Sequence, residues 1–301
     1  DARLADLESG AALDLDAFAR HVRAEHLPHA VIIDCTAADA IADRYAEWLR
    51  EGVHVVTPNK RAASGPLARW DAIREACRVK GARYLGEATV GAGLPVIATL
   101  KDLLHTGDRV RAVEGVLSGT LSWMFNTLTP DAPFSTLLRE ARRLGYTEPD
   151  PRDDLSGTDF ARKLVVLARE MGRAVRLEDV AIEDLAPGAP FGAPLDELVA
   201  ALRPVDARLR EMLDAARARG EVLRYVGVIP EEGMPKVSLR ALPATHPFAR
   251  LQGTDNVIAF RTARYDAQPL VVQGPGAGPE VTAGGVFGDL LRLAAHLGAP
   301  V

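Results

Sequence analysis

Cysteines, paired histidines, aromatic rings and long apolar runs are all scarce in this sequence, and each scarcity removes a class of protein. Two cysteines, Cys35 and Cys77, in 301 residues make neither a framework of disulfide bridges nor a cysteine-rich metal site. The seven histidines show neither HxH nor HxxxH spacing. Aromatic residues make up 5% and the formal charge is −5, so the chain offers neither the basic face nor the stacking rings that nucleic-acid binding needs. No apolar run approaches the roughly 18–20 residues of a membrane-spanning helix. The opening DARLADLESG lacks the basic-then-apolar layout of a secretion signal. These absences describe a reduced, cytoplasmic protein. What remains is ordinary globular composition, with a length that suits about two domains and a large core.

Hydrophobic patterning divides the chain in two. A helical pattern from Leu15 to Arg23 leads to AVIIDCT, a short β-branched run of the kind buried on both faces of a parallel sheet. Ile41, Tyr45, Trp48 and Leu49 recur at helical spacing, Gly52 stops that helix, and VHVVT follows as a second buried strand. Strand, helix and strand at this spacing form a βαβ unit with parallel strands. A helix from Ala68 to Val79 and a strand from Arg83 to Thr89 continue the alternation. After Gly93 the character changes. LPVIATLKDLLHTG, TLSWMFNTL and FSTLLREARRLG read as helices, VRAVEGVLSG as a strand, and YTEPDPRDDLSG as a polar loop. Phe160, Leu164, Leu167, Ala168 and Met171 then make an apolar helical stripe. A long helix from Leu195 to Arg219 precedes four strands, EVLRYVGVI, KVSLRAL, NVIAFRTARY and PLVVQ, and a last helix ends near Leu297. The front is therefore doubly wound α/β, and the back is α+β with a largely antiparallel sheet.

Four places hold residues with chemical potential. Thr36 and Lys60 stand just past the carboxyl ends of the two parallel strands, where open α/β sheets bind ligands; a helix cap and a solvated loop are the plain alternatives. EATVGAGLP offers a carboxylate and turning carbonyls that suit a hard cation, or simply a strand-to-helix turn. GPGAG, between a strand and the last helix, is not the opening of a dinucleotide fold, because too little chain follows it; it still presents backbone N–H groups at a helix start. The most informative stretch is YTEPDPRDDLSGTDFARK. Glu148, Asp150, Asp153, Asp154 and Asp159 crowd near Lys163, with Asp159 and Lys163 on one helix face. A surface ion pair is the plain reading. Acids gathered around one lysine instead suit a substrate amine and a proton-transferring group.

Taken together, VIIDCTAADAIADRYAEWL, VVTPNKRA, VGAGLPV, VLSGTLSWMFN, GYTEPDPRDDLSGTDFARKLVVLARE, LRYVG and GAGPEVTAGGVFGDLLR resemble homoserine dehydrogenase. The likeness is greatest to the C-terminal half of the bifunctional aspartokinase/homoserine dehydrogenases, and it runs from about residue 30 through nearly the whole chain. It implies a Rossmann-type nucleotide domain over residues 1–94, a substrate-binding and dimerisation domain over 95–275, and a C-terminal helix, 276–301, returning to the nucleotide domain. The implied reaction interconverts L-homoserine and L-aspartate 4-semialdehyde with NADP or NAD, on the route to threonine and methionine. Lys163 matches the proton donor and acceptor at the substrate oxygen, and Lys60 a second active-site lysine near cofactor and substrate. Glu148 and Asp159 match the carboxylates that hold the substrate amine, while Asp154 and Thr120 line the same pocket. Thr36, Gly276 and Gly278 match cofactor contacts. Glu87, with the carbonyls of Val90, Ala92 and Leu94, matches a structural sodium site. Family members are homodimers, usually joined through the back-half sheet.

One departure shapes the remaining expectations. No strand, GxGxxG loop and helix precede AVIIDCT, so the opening unit that holds the pyrophosphate and reads the ribose 2′ position is expected to be missing. Cofactor binding by this stretch alone is expected to be weak, and NAD and NADP both stay open. No kinase or regulatory region is present in the sequence, which fits a chain fused to or cut from an aspartokinase and little inhibition by threonine. The rival readings are another amino-acid dehydrogenase on the same plan, and a catalytically inactive ligand-binding or oligomerisation fragment.

Overall fold

The computed structural model describes residues 14–24 and 26–299. Strands β1 (Ala30–Ile33), β2 (Val53–Val56) and β3 (Tyr84–Leu85) form a parallel sheet in the order β1-β2-β3. The central β2 is buried along its whole length, as its unbroken apolar character requires. Helices Asp39–Ala42 and Tyr45–Arg50 cross from β1 to β2, and Lys60–Ser64 and Leu67–Lys80 cross from β2 to β3. The single helix expected around Ile41–Leu49 is thus two. The chain tightens between them, where the Arg44 N–H bonds to Ile41 O and the Glu47 N–H to Arg44 O. The strand expected from Arg83 to Thr89 pairs only over Tyr84–Leu85 and then turns through Glu87–Thr89.

The second sheet contains β4 (Val110–Val116), β5 (Ala181–Ile182), β6 (Glu221–Pro230), β7 (Lys236–Pro243), β8 (Asp255–Thr262) and β9 (Leu270–Pro275), in the order β5-β7-β6-β4-β8-β9. It is antiparallel except where the two-residue β5 runs parallel to β7. No alternation marks so short a strand in the sequence. The long helix expected from Leu195 to Arg219 is broken into Leu195–Ala201 and Arg203–Ala218. Pro204 has no N–H to continue a helix, and it sits in the first turn of the second one.

The stretch read as a polar loop contains a helix, Pro151–Ser156, with Pro151 at its first position and Asp150 accepting the Arg152 N–H at 2.9 Å. Gly157, at φ 69°, ends that helix and starts Thr158–Glu170. A Cβ there would lie 2.3 Å from Tyr225 Oη, so glycine is required both by conformation and by space. Helix Thr158–Glu170 carries the expected apolar stripe, with Phe160, Leu164, Leu167 and Ala168 buried. It lies on β6 at Gly227, where a Cβ would fall 2.5 Å from the Phe160 ring. The same helix packs on Lys60–Ser64, so it joins the two sheets. Among the described residues no helix is long and apolar enough to cross a membrane.

Candidate active site

Helix Thr158–Glu170 presents Asp159 and Lys163 one turn apart, beside the buried stripe. Lys163 is buried, and its Nζ donates to Leu117 O at 2.6 Å and meets Asp159 Oδ2 at 2.9 Å. The other carboxylate oxygen, Oδ1, lies 3.1 Å from Lys60 Nζ. One carboxylate therefore bridges two ammonium groups that come from different helices. A surface i, i+4 pair does not describe this arrangement, because Lys163 is enclosed and Asp159 has a second cationic partner. Burial opposes the charge on Asp159, but the ammoniums of Lys163 and Lys60 outweigh it and hold the carboxyl well below the usual carboxylate range.

A second carboxylate lies next to this triad. Asp154 Oδ2 accepts the Glu148 N–H at 2.8 Å. The Thr120 hydroxyl shares its hydrogen between Tyr146 O at 2.6 Å and Asp154 Oδ1 at 2.8 Å. Asp154 and Thr120 thus hold the segment from Tyr146 to Glu148 at both ends. The Glu148 side chain is exposed, and among the described residues its carboxylate has no ion-pair partner. Burial pushes Asp154 up to about 6, against the two hydrogen bonds and helped by the charges of Glu148 and Asp159. Folding therefore favours the neutral acid. That contribution is full below about pH 4, the unfolded value, and is lost as pH rises through the folded value. Asp154→Asn keeps the shape and stays neutral. Relative to wild type it is expected to gain about 2 kcal/mol in stability between about pH 4 and 7. Urea unfolding at the two pH values checks this, and parallel stability curves would count against it.

Thr36, Lys60, Thr120, Glu148 and Asp154 line one cleft of about 750 Å³ with Asp159 and Lys163, and Gly276 and Gly278 close its far side. Every residue matched to the family's site except the Glu87 group is brought together there, whereas Asp150, read as one of the acids near Lys163, is not among its lining residues and caps helix Pro151–Ser156 instead. Thr36 does not cap a helix: its Oγ accepts the Ala38 N–H at 3.2 Å in the turn before helix Asp39–Ala42, whose N-cap is Ala38. Sequence reading missed the residues that fix Thr36 and Lys60. Buried Asp34 accepts the Thr36 N–H at 2.7 Å and an Asn59 Nδ2 hydrogen at 3.0 Å, and it takes the Tyr45 hydroxyl. Asn59 caps helix Lys60–Ser64 by accepting the Arg61 N–H at 3.0 Å. The signal for Asn59 was present: a capping residue directly before Lys60 at a helix start.

Glu87 lies away from the cleft. Its carboxylate accepts the Ile97 N–H at 2.6 Å and the Ala98 N–H at 2.9 Å, capping helix Val96–His105, and Arg292 stands 3.3 Å away. Glu87→Ala is expected to destabilise the fold by about 1–3 kcal/mol, because two helix N–H groups and Arg292 lose their acceptor. Denaturant melts of the variant check this, and an unchanged midpoint would refute it. The following turn has Gly91 at φ 77° and Ala92 at φ 53°. Among the described residues no backbone N–H donates to the carbonyls of Val90 and Ala92. Nor, among the described residues, do three or more His, Cys, Asp or Glu side chains gather as a metal cluster. Oxygen donors of this kind fit a hard cation held by carbonyls.

The chain matches the family model described as homoserine dehydrogenase over residues 95–291, and that described as homoserine dehydrogenase, NAD binding domain, over residues 3–87. It belongs to the homoserine dehydrogenase family. It is 52% identical over 297 residues to bifunctional aspartokinase/homoserine dehydrogenase 2 of Arabidopsis thaliana, covering 97% of this chain and 32% of that protein. The chain thus spans about a third of the length of its bifunctional relatives. Homoserine dehydrogenase of Emericella nidulans is 44% identical over 279 residues, covering 89% of this chain and 76% of that one. Among solved structures, a Candida auris protein of unknown function superimposes with a TM-score of 0.89 at 40% identity, covering 95% and 82% of the two chains. Homoserine dehydrogenase from Thiobacillus denitrificans gives 0.70 at 26% identity, covering 89% and 57%. Within this member of the family, Lys60 lies in the NAD-binding match while Asp159 and Lys163 lie in the other. The ion triad therefore spans the two matched segments.

Proposed function

We propose that this chain interconverts L-homoserine and L-aspartate 4-semialdehyde with a nicotinamide cofactor. The observation that carries the reading is the triad: two lysines from the two matched segments share Asp159 in a cleft that also holds Glu148. Relatives named homoserine dehydrogenase over about three-quarters of their own length support it. The cleft also fits the cofactor. It opens past the carboxyl ends of β1 and β2, has Thr36 and Lys60 at those ends, and has a glycine loop that opens a helix.

A nicotinamide cofactor bound in the cleft would supply the hydride chemistry at the substrate carbon. The protein handles the rest. Lys163 gives a proton to the aldehyde oxygen in one direction and takes it from the alcohol in the other. A compact ammonium suits this because it both stabilises negative charge developing on oxygen and releases a proton. Lys60 adds a second positive charge near the same oxygen. The free carboxylate of Glu148 takes the substrate ammonium, and Asp159 completes that hold with lone pairs not used by the lysines. Fixing the amine fixes the reacting carbon, which removes part of the entropic barrier. The deciding assay is cofactor-dependent oxidation of L-homoserine set beside other amino-acid alcohols. Faster turnover of any other substrate would replace this assignment.

A sodium ion sits beside Glu87 on the carbonyls of Val90, Ala92 and Leu94, supported by the Val90 and Ala92 carbonyls, to which no backbone N–H donates among the described residues. Replacing sodium with choline should lower the Tm, and an unchanged Tm would remove the ion. The chain works as a homodimer joined through the six-stranded sheet, whose edge strand β9 leaves Val271 exposed. Both NAD and NADP are candidates, and KM values for each decide between them. Cys35 and Cys77, both unbridged, suit a reducing compartment such as the cytoplasm. The bifunctional names of its relatives support fusion to an aspartokinase.

A further inference from the structure

Asn256, in β8, has a side chain that the proposed reaction does not use. It stands opposite Gly274 of β9 and is 1% exposed. Neither its Oδ1 nor its Nδ2 has a hydrogen-bond partner among the described residues. A buried amide unpaired on both sides destabilises a fold, so each such group calls for a specific reason. This one lies against the glycine loop. A Cβ on Gly276 would fall 2.1 Å from Nδ2 and 2.2 Å from Cγ, so Asn256 fills the room that a larger residue at 276 would take. The loop is unsatisfied in turn. Among the described residues the N–H groups of Gly276, Ala277 and Gly278 donate to no backbone carbonyl. All three residues line the cleft, with Gly276 buried and the other two exposed. Gly278 has φ 118°, a conformation other residues rarely adopt. Helix Pro279–His296 begins here without a side-chain cap.

The geometry points to Asn256 as the positioning residue of the 274–278 loop: when a ligand in the cleft draws the loop inward, the Asn256 amide pairs with the loop backbone and locks it. Donors and acceptors match on both sides, with Nδ2 donating to a loop carbonyl and Oδ1 accepting a loop N–H. Asn256 acts through the loop, because it is too enclosed to reach a ligand itself. The identity of the ligand, a nicotinamide cofactor, rests on the dehydrogenase reading. The unpaired amide and the unpaired loop do not.

Asn256→Leu tests this, because leucine keeps the branched shape and removes both polar atoms. Without ligand the variant is expected to melt at or above the wild-type temperature, by about 2–4 °C. Its cofactor KM is expected to rise about tenfold, the scale of one or two lost hydrogen bonds, with the homoserine KM nearly unchanged. Hydrogen exchange gives a readout that a packing role would not move. Saturating NADPH should protect the N–H groups of 276–278 in the wild-type chain and leave them unprotected in the variant. Unchanged cofactor KM with equal protection in both chains would overturn the assignment, as would a ligand-free Tm well below wild type. A wild-type chain that oxidises no homoserine would sink the dehydrogenase reading alone, and the exchange comparison with NADPH would still decide the role of the loop.

Discussion

Lys163→Met should lower kcat by about 10²–10⁴-fold, the scale of lost general acid–base catalysis. Methionine is unbranched like lysine and one atom shorter, so it fills most of the enclosed niche beside Leu117. Asp159 keeps Lys60 as its partner, so no carboxylate is stranded. The main structural loss is the hydrogen bond to Leu117 O, which limits the drop in Tm to about 4 °C. The effect should fall on kcat more than on KM, since the proton moves in the transition state. Lys163→Arg should be nearly as inactive, because a guanidinium keeps its charge but holds its proton, with a pKa above about 12. Its extra bulk in a side-chain site 11% exposed should also destabilise the fold, by about 1–3 kcal/mol. Steady-state kinetics with homoserine and thermal melts check both variants. Near wild-type kcat in Lys163→Met would make Lys60 the acid–base group.

Much of the site is legible in the sequence, and the reason is local chemistry. Thr36 and Lys60 follow apolar strands, and Asp159 and Lys163 stand one turn apart on a striped helix. Each of those signals lies within a few residues. The meeting of Lys60 with Asp159 is not legible, because it depends on where helix Thr158–Glu170 crosses helix Lys60–Ser64. Two features set that crossing. Gly227 lets the helix lie close on β6. Arg169, 1% exposed, donates to Ala63 O and Val175 O, both at 2.9 Å, and pins the helix to Lys60–Ser64. In the sequence Arg169 looks like a solvated residue on a helix, since arginine is seldom fully buried. Asp34 is hidden in the same way, inside a run that reads only as a strand end. The helix Pro151–Ser156 escapes notice because the crowd of acids reads as loop, although an Asp-Pro start and a glycine stop are both present.

Asp159→Asn should cost about 10²-fold or more in kcat/KM, because the carboxylate sets the positions of both lysines and part of the amine hold. Asparagine keeps the shape but leaves two ammoniums facing a neutral amide. Half of the Asp159 side chain faces the cleft, with 49% exposed. The stability loss at pH 7 is therefore discounted to about 1–2 kcal/mol, well short of the value for a fully buried pair. The pH dependence separates this charge from a merely steric role. The folded Asp159 carboxyl titrates well below its unfolded value, so its contribution is present above about pH 4 and is lost as pH falls through the folded value. Wild type should accordingly lose stability on acidification below about pH 4 by an amount that the variant does not show. Urea titrations at neutral and acid pH, beside kinetics at neutral pH, test both halves. Wild-type kcat/KM in Asp159→Asn would reduce the triad to a structural ion pair, and a variant with the full acid slope would show that Asp159 does not hold its charge in the fold.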